Sequence, residues 1–193
     1  LIPNELYDEH QTELYFQTAM HLDKTDHLQT DTVASIQSTI IYSINNELNA
    51  LLLDYFPNAL RNCTAKPIID LALKNSGQEE YIVLALLQAR SICLTILHKG
   101  TLILHQIYGF QNAEDCLYFI LLAYKSLGLS TEKIPLSLSG ELIQDSEIYK
   151  LLYQYIRNIS FVNRPKGLTY GAAIQKLPAQ FHFDLFSIAI ANN

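Results

Sequence analysis

The chain has 193 residues, 49% of them apolar and 17% charged, which is enough for a sizeable core and excludes a disordered or low-complexity chain. A formal charge of -6, with thirteen basic residues scattered so that the densest group, Arg157 to Lys166, holds three, argues against a nucleic-acid surface. Cys63, Cys93 and Cys116 are too few and too far apart for a disulfide framework or a zinc site and read as small buried hydrophobes in a reducing compartment. With no leader pattern and no uncharged run of ~18 residues, the expectation is a cytoplasmic chain with no membrane partner.

Taken in order, residues 1–28 show helical spacing at Leu6, His10, Leu14 and Phe16. From Asp31 to Ile44 the β-branched density favours one or two short strands, because branching at Cβ suits a pleated surface. Asn45 and Asn46 supply a helix cap, Glu47 puts negative charge in the first turn, and Leu48, Leu51, Leu52 and Tyr55 mark an apolar face that Pro57 ends. A second helix is expected from Thr64 to about Gly77, with Pro67 in its first turn. The polar stretch Gln78-Glu79-Glu80 is the best boundary in the chain.

Beyond that boundary, Tyr81 to Leu87, Ser91 to His98 and Thr101 to Tyr108 are strand-length apolar runs separated by Gln88-Ala89-Arg90 and by Lys99-Gly100, which reads as a three-stranded meander. The two-residue loop sets His98 opposite Thr101 and His105 opposite Leu94, and both histidines read as surface or rim residues. Asn112, Glu114 and Asp115 open a helix with Leu117, Ile120, Leu121 and Tyr124 inward, closed by Gly128. A fourth strand is expected from Ile134 to Leu138, followed by a Ser139-Gly140 turn. A helix capped at Asp145 or Ser146 then turns Ile148, Leu152, Tyr155 and Ile156 inward, and Ile159 to Val162 reads as a fifth strand. Asn163 to Gln180 reads as irregular, and Phe183 to Ile190 as helix in preference to strand.

A meander followed by alternating helix and strand resembles the ribonuclease-H-like unit that actin-like ATPases use twice. Ile2-Pro3-Asn4-Glu5-Leu6-Tyr7, Gly100-Thr101-Leu102, Gly109-Phe110, Ala113 to Tyr118 and Leu136-Ser137-Leu138-Ser139-Gly140 are similar to an uncharacterised bacterial family, a domain of unknown function with an actin-like ATPase fold. The resemblance implies an α/β protein with a mixed sheet and flanking helices, residues 1–78 forming a partial first lobe and 79–193 a complete second lobe. The helix at residues 46–56 must bury its leucines, and two strands are a marginal receiver. Residues 1–78 are therefore expected to pack on the second lobe or to pair with strands from outside the chain, a homo-oligomer being one route.

The same resemblance implies a test of nucleotide chemistry. An actin-like ATPase needs a Gly-rich turn with an Asp, so that backbone N–H groups reach the phosphates and a carboxylate orients Mg²⁺ and water. The turn here, Leu87 to Ser91, has neither. If ATP and Mg²⁺ bind, the contacts expected are Arg90, Ser91, Ser139 and Gly140, although a loop Arg is ordinarily just solvated and a Gly in such a turn ordinarily serves backbone geometry. A two-metal nuclease is excluded, because Tyr81–Leu87 and Ile134–Leu138 carry no acid. Nor do the six histidines or Ser91, Ser137 and Ser139 fall in a metal-ligand or nucleophile-elbow pattern. The favoured reading is a non-catalytic scaffold or interaction module with a protein partner, no cofactor, no catalytic residue and no metal ligand; the alternative is a weak ATP-binding switch. Tyr149 and Tyr153, four apart on one helix flank, form a candidate partner surface or simply a half-buried helix edge.

Overall fold

In a computed structural model, residues 1–59, 61–77 and 79–191 are described, so Gln78 of the expected boundary lies outside the described residues. The chain divides into two compact units, Leu1–Lys66 and Pro67–Asn193.

The first unit carries β1 (Ile2–Pro3), α1 (Thr12–Gln17), β2 (Asp26–Val33), β3 (Ser38–Asn45) and α2 (Asn46–Tyr55). Its sheet has three strands in the order β1-β3-β2, all antiparallel, because Ile2 and Pro3 pair with Thr39 and Ser38. The β-branched run thus makes two strands, the first of which begins at Asp26, before the branched residues, because Asp26 to Thr30 pair with Asn45 to Ile41. Asn45 caps α2 as expected, its side-chain oxygen accepting from the N–H groups of Glu47 and Leu48. Of the spaced residues near the start, Phe16 alone is buried, as are Val33 and Ile40 of the strands. On the leucine face of α2, Leu48, Leu51, Leu53, Tyr55 and the following Phe56 are exposed and Leu52 is half-buried.

The second unit contains most of α3 (Ala65–Lys74), then β4 (Tyr81–Leu87), β5 (Ser91–His98), β6 (Thr101–Gly109), α4 (Ala113–Ser126), β7 (Leu136–Gly140), α5 (Glu147–Leu152), β8 (Ile159–Phe161), α6 (Ala172–Gln175) and α7 (Phe183–Ala191). The sheet order is β6-β5-β4-β7-β8; β4, β5 and β6 are the antiparallel meander, and β7 and β8 add parallel to β4. Strand alternation splits the core into two layers. Val83, Ala85, Leu87, Ile92, Leu94 and Ile96 point to one side with Cys116, Leu117, Ile120 and Tyr124 of α4 and Leu152 of α5. Leu84, Leu86, Cys93 and Leu97 point to the other, with Ile68, Leu71 and Ala72 of α3 and Phe183 of α7. The Asn112 side chain accepts from the Asp115 N–H, and Gly128, at φ +66°, ends the helix. Lys99 and Gly100, both at positive φ, make the tight turn.

Four local expectations change. The fourth strand runs from Leu136 to Gly140, so Ser139 and Gly140 are strand rather than turn, held by pairing with Leu86 and Leu87. Helix α5 stops at Leu152, so Tyr155 leaves the inward stripe and is exposed, while Leu152 and Ile156 are fully buried. A bulge shifts the β5/β6 register between Ile96 and Leu97, so His105 faces Thr95, not Leu94, although His98 still faces Thr101. The segment read as irregular holds one helical turn, α6.

Candidate functional site

The carboxyl ends of the parallel strands β4 and β7 open into a cleft of about 570 Å³. Leu86, Leu87, Gln88 and Ala89 line it from β4 and its turn; Gly140, Glu141 and Leu142 from the end of β7; Ser146 and Ile148 from α5; and His182, Asp184 and Leu185 from the start of α7. The strand ends are fixed by backbone contact. A Cβ on residue 140 would stand 1.9 Å from the Leu87 carbonyl oxygen, and its φ is +98°, so only glycine lets β7 approach β4 here. The Gly140 N–H donates to the Gln180 carbonyl (3.0 Å), and the buried Gln180 side chain donates to the Leu142 carbonyl (2.7 Å), which ties the loop before α7 to the end of β7.

Those ties bring acids into the cleft. Glu141 Oε1 lies 3.6 Å from His182 Nδ1, and Asp184 Oδ2 accepts from Gln88 Nε2 at 3.4 Å. Among the described residues no lysine or arginine lines the cleft. Glu141 and Asp184 are the residues that reading the sequence missed; Glu141 directly follows Gly140, but Asp184 carried no motif and reaches the cleft only through the fold.

The four expected nucleotide contacts take different positions. Gly140 lines the cleft; Arg90 is exposed in the turn after β4 and does not line it. The Ser91 hydroxyl donates to the Gln88 side-chain oxygen (3.0 Å), and Ser139 is fully buried with its hydroxyl near the Ala85 carbonyl (3.4 Å). The β4/β5 turn holds no glycine, and the described residues that line the cleft include two carboxylates and no lysine or arginine. Among the described residues no group of three or more His, Cys, Asp or Glu side chains could hold a metal ion.

Elsewhere, His105 is half-buried, its Nδ1 3.0 Å from Thr95 Oγ1 and its Nε2 3.7 Å from Cys93 Sγ; burial pulls its pKa down to about 4. Tyr149 stacks on Phe161 (5.4 Å) and on the exposed Tyr153 (6.1 Å). No described helix is long and apolar enough to cross a membrane.

The architecture is that of a solved relative. A crystal structure from Bacteroides thetaiotaomicron VPI-5482, of a protein with actin-like ATPase fold and unknown function, matches at a TM-score of 0.82 and 19% identity, over 98% of this chain and 68% of that one. The fold of the chain is therefore the actin-like ATPase fold, as the resemblance implied. No curated protein matches the chain. Residues 1–159 match the family described as "Protein of unknown function (DUF3822)", and the chain belongs to that family.

Proposed function

We propose that this protein is a non-catalytic interaction module, a scaffold on the actin-like fold that binds another protein and does not turn over nucleotide. The observation that carries this reading is the charge of the cleft: Glu141 and Asp184 line it, and among the described residues no lysine or arginine does. Each phosphate charge brought within ~5 Å of one of these carboxylates costs on the order of 3 kcal/mol at an effective dielectric near 20. The Gly-free turn at Gln88-Ala89-Arg90 offers no compensating cradle of N–H groups. Exposed apolar side chains on α2 and the Tyr149–Tyr153 stack are surfaces of the kind that partners cover. On this reading the protein works in a bacterial cytoplasm, with residues 1–78 belonging to a first lobe and 79–193 forming the second.

One observation favours a second reading, a weak ATP-binding switch: the cleft lies at the carboxyl ends of parallel strands, where ligands of open α/β sheets bind. Thermal unfolding with and without Mg-ATP separates the two. A ligand at one hundred times its Kd stabilises by ~2.7 kcal/mol, so the scaffold reading expects no shift. A dose-dependent rise in Tm in the wild type, or one gained in Asp184→Asn, would replace it with the switch.

A further inference from the structure

We propose that the protein forms a two-fold dimer through β6, two copies pairing antiparallel so that their five-stranded sheets join into one. Strand β6 is the outer strand of its sheet, and no described strand pairs with its free edge. Natural edges are ordinarily blunted by charge or proline. The nine residues Thr101–Gly109 contain no Asp, Glu, Lys, Arg or Pro. The bulge opposite Ile96 and Leu97 disturbs only the start of the strand, which leaves Leu104 to Gly109 as a regular template.

The surface beside this edge is apolar on both faces of the sheet. Ile107, on the side of His105, is 56% exposed. On the α4 side, Tyr108 stacks on Phe119 at 4.5 Å, which places α4 over the edge strand, and the neighbouring Tyr118, 60% exposed, and Leu122 extend the patch along that helix.

The ends of the strand select a second copy over a foreign strand. Lys99 precedes β6, and Glu114 and Asp115 follow it at the start of α4. Antiparallel pairing with an identical strand brings each Lys99 toward the acidic end of the other; Arg90, whose carbonyl accepts from the Phe110 N–H, offsets part of that acidic charge, and Glu80, whose carbonyl accepts from the Lys99 N–H, offsets part of the basic one. A two-fold axis normal to the sheet keeps each face on its own side, so a register centred on Gln106 sets Leu104 against Tyr108 and His105 against Ile107 of the second copy. Neither Ile107 nor Tyr118 lines the cleft, so self-association and the scaffold reading stand or fall separately.

Sedimentation equilibrium of the full chain tests it, with circular dichroism to verify folding. The wild type is expected to be a dimer at about 100 µM, and Ile107→Lys or Tyr118→Glu, each a surface change, to weaken it at least about tenfold, or ~1.4 kcal/mol, by setting like charges across the axis. Leu51→Lys on α2 is expected to leave it unchanged. A monomeric wild type, a dimer indifferent to both edge substitutions, or one dissolved by Leu51→Lys instead would overturn the proposal.

Discussion

Gly140 sits directly across from Leu87 in the parallel pair of β7 and β4, so close that a Cβ at 140 would overlap the Leu87 carbonyl oxygen. Neighbouring strands cannot separate locally without breaking the ladder that continues through Ser139, Leu138 and Leu136. Gly140→Ala must therefore both clash and hold alanine at φ +98°. A loss of about 2 kcal/mol or more is expected, given that backbone strain of this kind alone costs ~1–3 kcal/mol. Urea unfolding of the variant measures it, and a loss under about 0.5 kcal/mol, the range of ordinary surface changes, would contradict the packing described.

Helix α4 supplies much of one core layer, and its start depends on the Asn112 side chain accepting from the Asp115 N–H at 2.8 Å. Asn112→Ala leaves that donor unsatisfied and is expected to cost about 1 kcal/mol, whereas Asn112→Asp, which keeps the acceptor and adds charge at the helix N-terminus, is expected to hold or slightly raise stability. Equal losses for the two substitutions would argue against capping.

His105 makes stability depend on pH in a defined direction. Its pKa falls from 6.5 in the unfolded chain to about 4 because burial disfavours the imidazolium. The unfolded state thus binds more protons between these values. The contribution is fully present above pH 6.5 and is lost progressively as pH falls toward 4, with a slope of at most about 1.4 kcal/mol per pH unit. Measured against His105→Gln from pH 7.5 to 4, the wild type should lose more stability on acidification. Parallel curves would show that His105 does not titrate differently on folding.

Thiol chemistry reads out the core. Cys116 lies in α4 with no exposed surface, and burial pushes its thiol up to about 12. Since the thiolate is the reactive form, Cys116 should not react with a disulfide reagent at about pH 8 while folded. Cys116→Ser should therefore leave the native reaction unchanged and remove one of the three thiols that react in denaturant. A native reaction lost in this variant would mean that α4 opens readily.

Apart from α6, the order of elements from Tyr81 onward was legible in the residues alone, because period-two runs, the Lys99-Gly100 turn, the Asn112 cap and Gly128 act on their own few neighbours. Helix α2 was legible for the same reason, but the exposure of its leucines was not, since amphipathic spacing marks which face is apolar and not what stands before it. Ser139-Gly140 has turn composition yet forms strand, because the ladder from Leu86 and Leu87 of β4 outweighs local preference. The position of His105 opposite Thr95 depends on one bulge, and a shift of a single residue moves a side chain to the other face. Glu141 and Asp184 meet in one cleft only because Gln180, far along the chain, bonds back to the end of β7. Caps, turns and periodicity are set by residues within a few positions of one another; strand register and the meeting of distant side chains are set by which surfaces can be buried together, and only the folded chain decides that.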